Sequence, residues 1–121
     1  MYIAKEFKFG ELKGLSIRSI EEHLKLYEGY VKNTNLVLNT QKEAQDEGIS
    51  SYELSEMQRR LAFEFDGMKN HETYFSQIEG GSVEPDIEST LYQKIESQWG
   101  SFDAWLNVFK ELSKTRGVGW A

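Results

Sequence analysis

The sequence has no cysteine, a single proline (Pro85) and only two histidines in 121 residues. The first absence excludes a disulfide scaffold, thiolate metal clusters and cysteine nucleophiles. The scarcity of proline, set against long stretches of helix-forming residues between glycines, predicts a mostly helical chain. No apolar run approaches the roughly 20 residues of a membrane span, and the start, MYIAKEFKFG, lacks the basic, apolar and small-residue order of a secretory signal. A cytoplasmic protein without a membrane segment is the expectation. Basic charge is also short: 14 Lys and Arg against 20 Asp and Glu give a net charge of −6. No basic stripe is left to neutralise phosphates, so nucleic acid is not an expected partner. What is present is the composition of a folded domain, 39% hydrophobic and 13% aromatic. A chain of this length buries roughly two-thirds of its unfolded surface and needs no staple.

Residues 1–18 scatter Tyr2, Ile3, Phe7, Phe9, Leu12 and Leu15 around Gly10 and Gly14, a pattern of coil pinned by aromatics. Ser19 with Glu22 reads as a capping box opening a helix, which runs to about Gln45 with Asp46-Glu47-Gly48 as its stop. On it, His23, Tyr27, Tyr30, Thr34 and Leu38 share a face. Gly29 lies inside that run at a cost of about 1 kcal/mol against alanine, which calls either for close helix packing or for a break in the helix there. Ser50-Ser51 opens a second helix to about Glu79, with Leu54, Met57, Leu61, Phe65, Met68, His71, Phe75 and Ile78 at steps of three or four. Two long helices joined by a short polar turn form an antiparallel hairpin. Beyond Gly80-Gly81, Pro85 suits the first turn of a third helix with Ile87, Leu91 and Ile95 inward and Gly100 at its end. Ser101 caps a fourth, carrying Phe102, Trp105, Leu106, Phe109 and Leu112 and closed by Gly117. The predicted class is therefore mostly α: an N-terminal arm and hairpin over 1–80, then two further helices over 81–121.

The two histidines fall one on each long helix, each on the face turned toward the other helix. Paired imidazoles across a helical hairpin suit Zn, Fe, Mn or Cu, although an isolated histidine on an apolar face is more often a satisfied core residue. The neighbouring carboxylates Glu22 and Glu72 read as solvated helix-face charges.

The run from Glu22 to Asn35, EHLKLYEGYVKNTN, resembles the first-helix pattern of the iron/manganese superoxide dismutases, in which a ligand histidine precedes Tyr-Val-x-Asn-x-Asn. Asn70-His71-Glu72-Thr73-Tyr74-Phe75 is similar to their second pattern, Asn-His-x-x-aromatic-aromatic. Trp99-Gly100-Ser101-Phe102 and Gly117-Val118-Gly119-Trp120 resemble the family's Phe-Gly-Ser-Phe and Gly-Ser-Gly-Trp segments. The four matches stand in family order and cover about residues 19–121.

The resemblance implies a helical hairpin followed by an α/β domain, of which only the first two helices are present. It implies one Fe or Mn held by three histidines, an aspartate and solvent, cycling between +3 and +2 while superoxide is converted to O2 and hydrogen peroxide. By the same resemblance His23 and His71 are metal ligands, and Tyr30 is the tyrosine that gates substrate and relays protons. Six residues separate His23 from Tyr30 where the family has seven; seven steps are nearly two whole turns, so a plain α-helix keeps both on one face. Gly67, four before His71, matches the glycine of the manganese enzymes, where many iron enzymes carry glutamine. The sequence ends before the family's Asp-x-Trp-Glu-His ligand segment, and Asp86 and Asp103 do not match it; both read as first-turn residues favoured by the helix dipole. The implied partners are superoxide and either a homo-oligomer or a C-terminal partner chain. The alternative is a non-catalytic module that binds a protein through apolar surface around Trp99, Trp105 and Trp120.

Overall fold

A computed structural model describes residues 1–117 and 119–120, with the side chains of residues 45–47 left out. Four helices follow in order, α1 (Ile17–Glu47), α2 (Ser51–Ile78), α3 (Thr90–Trp99) and α4 (Phe102–Ser113), and among the described residues there is no strand. The mostly helical class read from the sequence is the observed one. No helix is long and apolar enough to cross a membrane. The chain divides into two compact units, Met1–Ser82 and Val83–Ala121.

In the first unit the long helix begins a turn earlier than the capping box at Ser19 suggested. Ser16 is the cap: its hydroxyl accepts the Ser19 N–H at 3.1 Å, and its carbonyl accepts the N–H of Ile20. Starting there makes Ile20, only 4% exposed, part of the inner face. Gly48 ends the helix in the left-handed region at φ 75°, a conformation that glycine adopts without steric penalty. Two residues on, Ser50 and Glu53 close a reciprocal capping box, Ser50 N–H to the Glu53 carboxylate at 3.0 Å and Glu53 N–H to the Ser50 hydroxyl at 3.3 Å. The short turn folds α2 back along α1. Tyr27, Val31, Met68 and Phe75 form the shared core, with Phe7, Phe9, Leu24, Tyr30, Phe65 and Tyr74 packed around it.

Close packing of the helices falls at Gly67 rather than Gly29. A Cβ on Gly67 would lie 2.5 Å from the Tyr30 ring, whereas one on Gly29 would meet nothing within 4 Å. The sequence expectation for Gly29 fails because that residue faces a groove instead of the opposite helix.

The arm before Ser16 is irregular, as its composition implied, yet it is held throughout by groups from both helices. Its polar backbone atoms must find partners, and they do so along the whole length. Tyr2 exchanges two hydrogen bonds with the Asn35 amide, at 2.7 and 2.8 Å. Lys5 N–H reaches the Tyr27 hydroxyl at 2.8 Å, Lys8 N–H the Glu79 carboxylate at 2.8 Å, and Lys13 N–H the Ser82 hydroxyl at 3.0 Å. Lys8 and Glu11 carbonyls accept from Gly80 and Ser82. Gly10 sits so close to the Gly80 carbonyl that a side chain there would collide with backbone.

In the second unit α3 opens at Ser89, whose hydroxyl accepts Tyr92 N–H at 3.2 Å, and not at Pro85. Asp86 is consequently a turn residue, its carboxylate accepting Glu88 N–H at 3.0 Å, and Ile87 and Leu91 are 63% and 70% exposed rather than inward. Ser101 caps α4 and Asp103 lies in its first turn as read from sequence, but the helix stops at Ser113, before Gly117. Tyr92 and Phe102 stack at 4.7 Å, and the Trp105 ring packs between those of Phe102 and Phe109 along the helix. The Gly-Val-Gly-Trp match includes Val118, and the stretch ends at Ala121; both residues lie outside those described.

Candidate metal centre

Antiparallel pairing of α1 and α2 brings His23 and His71 together, ring centroids 4.9 Å apart and planes at 77°. Each histidine comes from the stripe that faces the opposite helix, so the pairing follows from helical periodicity once the hairpin closes. His71 is 5% exposed, and its Nδ1 lies 2.6 Å from the Gly67 carbonyl one turn back. A carbonyl can only accept, so Nδ1 carries the proton, which leaves Nε2 as the nitrogen a metal would engage. A histidine oriented through one nitrogen by a backbone carbonyl is the usual arrangement behind a metal-ligating imidazole.

Aromatic rings surround the pair. Tyr74 and Phe75 approach His23 at 4.9 and 5.0 Å, and Tyr30 approaches His71 at 5.0 Å. Tyr30 and His23 lie on the same side of α1, which runs as unbroken α-helix between them. Burial among these rings lowers the His23 pKa from the ordinary imidazole value, and the second imidazole lowers it further. Both effects favour the neutral form, which is the one with a donor lone pair.

Beside Tyr30 runs an open groove of about 290 Å³, lined with Lys25, Gly29, Asn33, Arg60, Phe63 and Glu64. Glu64 is 1% exposed and is compensated by an ion pair with Arg60 and by Asn33 Nδ2, which donates to it at 3.3 Å. Lys25 pairs with Glu22 at 2.8 Å on the exposed face, as the sequence reading of Glu22 implied.

Glu72 departs from that reading. It is 8% exposed instead of solvated, because the arm crosses over it: Lys5 Nζ lies 2.9 Å and Lys69 Nζ 3.0 Å from its carboxylate. Periodicity places Glu72 at the edge of the inner face, and only the course of the arm buries it. The sequence contained the residues of the tether, a lysine in the arm and a glutamate on α2, but no local pattern links them.

Among the described residues no group of three or more His, Cys, Asp or Glu side chains stands close enough to hold a metal ion. The histidine pair therefore fits part of a mononuclear centre: two imidazoles on facing helices, without a third ligand among the residues described.

No family model and no solved structure matches the chain. Curated relatives do. An iron superoxide dismutase from Tetrahymena pyriformis is 29% identical over 103 residues, 81% of this chain and 52% of that protein. A mitochondrial manganese superoxide dismutase from Aspergillus fumigatus is 30% identical over 102 residues, 81% of this chain and 48% of its own. One from Glossina morsitans morsitans is 28% identical over 117 residues, 94% of this chain and 53% of its own. The chain spans about half the length of the curated relatives it matches. Two of these relatives are mitochondrial proteins, so the similarity leaves the cytoplasmic expectation open.

Proposed function

We propose, for a chain related to the iron and manganese superoxide dismutases, that His23 and His71 supply two imidazole ligands of a mononuclear iron or manganese centre that disproportionates superoxide to O2 and hydrogen peroxide. The remaining ligands come from another segment or from a partner chain. The observation that carries this reading is the histidine pair itself: the only two histidines of the chain, on different helices, have rings 4.9 Å apart.

Bound there, the metal supplies one-electron exchange with superoxide; the chain's residues supply the setting. The Gly67 carbonyl holds His71 in the tautomer that presents Nε2. Tyr74 and Phe75 cover His23 and limit water around it, which favours its neutral, donating form. Tyr30 packs against His71 and lines the groove, and the reading gives its hydroxyl the carriage of protons between solvent and the centre.

Elemental mass spectrometry on the purified chain with its completing segment or partner tests the reading. About one Fe or Mn per chain is expected, reduced to background in His23→Ala and in His71→Ala variants that keep their helical spectrum. A folded protein without iron or manganese in the presence of the completing segment overturns it.

A second reading has its own observation. Trp99 and Trp120 are 42% and 51% exposed, as are Leu91 and Leu112 at 70% and 61%. Exposed apolar surface on this scale suits a protein partner, and partner binding that survives both histidine substitutions favours that reading.

A further inference from the structure

Glu72 has no part in the chemistry above, yet it is a buried carboxylate with partners from three segments of the first unit. Its oxygens gather groups from three places: Lys5 of the arm at 2.9 Å, Lys69 on α2 at 3.0 Å and the Tyr27 hydroxyl of α1 at 3.5 Å. The Tyr27 oxygen in turn accepts the backbone N–H of Lys5. Burial pushes the Glu72 carboxyl up, but hydrogen bonds from Lys5 and Lys69 outweigh it and hold the group below the usual carboxylate range. Lys69 lies three residues away on the same helix, so its contact is local to α2. The Lys5 contact does something else, since it ties a segment without regular structure to the turn that carries His71.

Two residues beyond the tether the arm enters the aromatic layer. Phe7 lies 5.9 Å from Tyr27 and 5.3 Å from Phe75, and Phe9 lies 5.8 Å from Phe75. Phe75 stands 5.0 Å from His23 and 6.3 Å from His71. A continuous line of packed rings therefore joins the tether to both histidines. Rings packed at this density transmit a displacement rather than absorb it.

We propose that Glu72 is a positioning residue for the histidine pair: by anchoring Lys5 it fixes the arm, and through Phe7 and Phe75 the arm fixes the orientation of His23 and His71. Its consequence for metal affinity rests on the reading of the pair as ligands; the tether itself does not.

The test uses Lys5→Met, Lys5→Arg, Glu72→Gln and the double variant K5M/E72Q in the full chain. The readouts are the imidazole nitrogen resonances of the metal-free protein and a cobalt(II) titration. K5M is the decisive variant, because Lys5 is far from either histidine in sequence and its side chain is 59% exposed, so truncation leaves no buried void. K5M and E72Q are expected to move the His23 resonances in the same direction, the double variant to add nothing further, and K5R to restore them. The cobalt dissociation constant should rise roughly 2- to 30-fold, the range spanned by network couplings of this kind. Imidazole resonances that stay in place in K5M while the unfolding midpoint falls overturn the proposal, since a tether that merely stabilises the fold leaves the native rings where they were. Should E72Q fail to fold, K5M decides alone. Imidazoles that respond to K5M, in a protein whose wild-type form takes up no cobalt even with its completing segment or partner present, support the tether and count against the metal reading. Equal cobalt uptake in every variant, with unmoved imidazoles, supports the metal reading and overturns the tether.

Discussion

At the scale of single residues, Gly67 and Tyr30 mark the tightest approach of the two long helices. Alanine at 67 puts its Cβ 2.5 Å from the tyrosine ring, and the ring cannot retreat without disturbing His71, 5.0 Å away on its other contact. Gly67→Ala is expected to destabilise the protein by about 1–3 kcal/mol through overpacking, despite alanine's better helix propensity, with a lowered urea midpoint as the measurement. A glycine in a helix usually gains stability on becoming alanine; here the sign reverses. His23 gives a pH dependence. Its folded pKa lies below the ordinary value of about 6.5 because burial and then the second imidazole disfavour the cation. The unfolded chain therefore takes up the proton first. This contribution is fully present above the ordinary value and is lost as pH falls below it. Urea midpoints of metal-free protein should drop between pH 7.5 and 5.5, and less steeply in His23→Gln.

At the scale of elements, each helix opens on a serine, and the four caps share one chemistry: a hydroxyl accepting from an amide N–H two or three residues inside the helix. Two of them, Ser50 and Ser101, were legible in the sequence. The α1 cap was read at Ser19 and lies three residues earlier at Ser16, because both are serines before an apolar-periodic run. Tertiary packing of Ile20 favours the earlier start. Ser16→Ala should cost about 0.5–2 kcal/mol and Ser19→Ala less than about 0.5 kcal/mol, compared by thermal midpoints of the two variants. Pro85 misled for a related reason. Proline fits the first turn of a helix but also fits the extended segment before one, and the Asp86 turn with the Ser89 cap uses the second option.

At the scale of the whole molecule, the two units differ in how much they bury. The first has a core with Tyr27, Met68 and Phe75 fully enclosed, while α3 and α4 contain no buried residue. Local stability follows local burial. Native-state hydrogen exchange should find the slowest amides around Tyr27, Val31, Met68 and Phe75, and amides of α3 and α4 exchanging through openings of much lower free energy. Uniform protection across all four helices contradicts this expectation. The sequence by itself determined the elements that depend on near neighbours: helices from three- and four-residue apolar steps, breaks from glycine, caps from serine, and an irregular arm from interrupted aromatics. It also put the two histidines on facing stripes, because hairpin geometry turns a helical period into a shared face. Only the tertiary structure decided what depends on distant residues. The burial of Glu72 under Lys5, the packing of Tyr30 on Gly67 and the enclosure of Glu64 beside Arg60 and Asn33 each arise where separate segments meet. No local pattern encodes such a meeting, since an exposed and a buried glutamate have the same neighbours in sequence until the chain that covers one of them is in place.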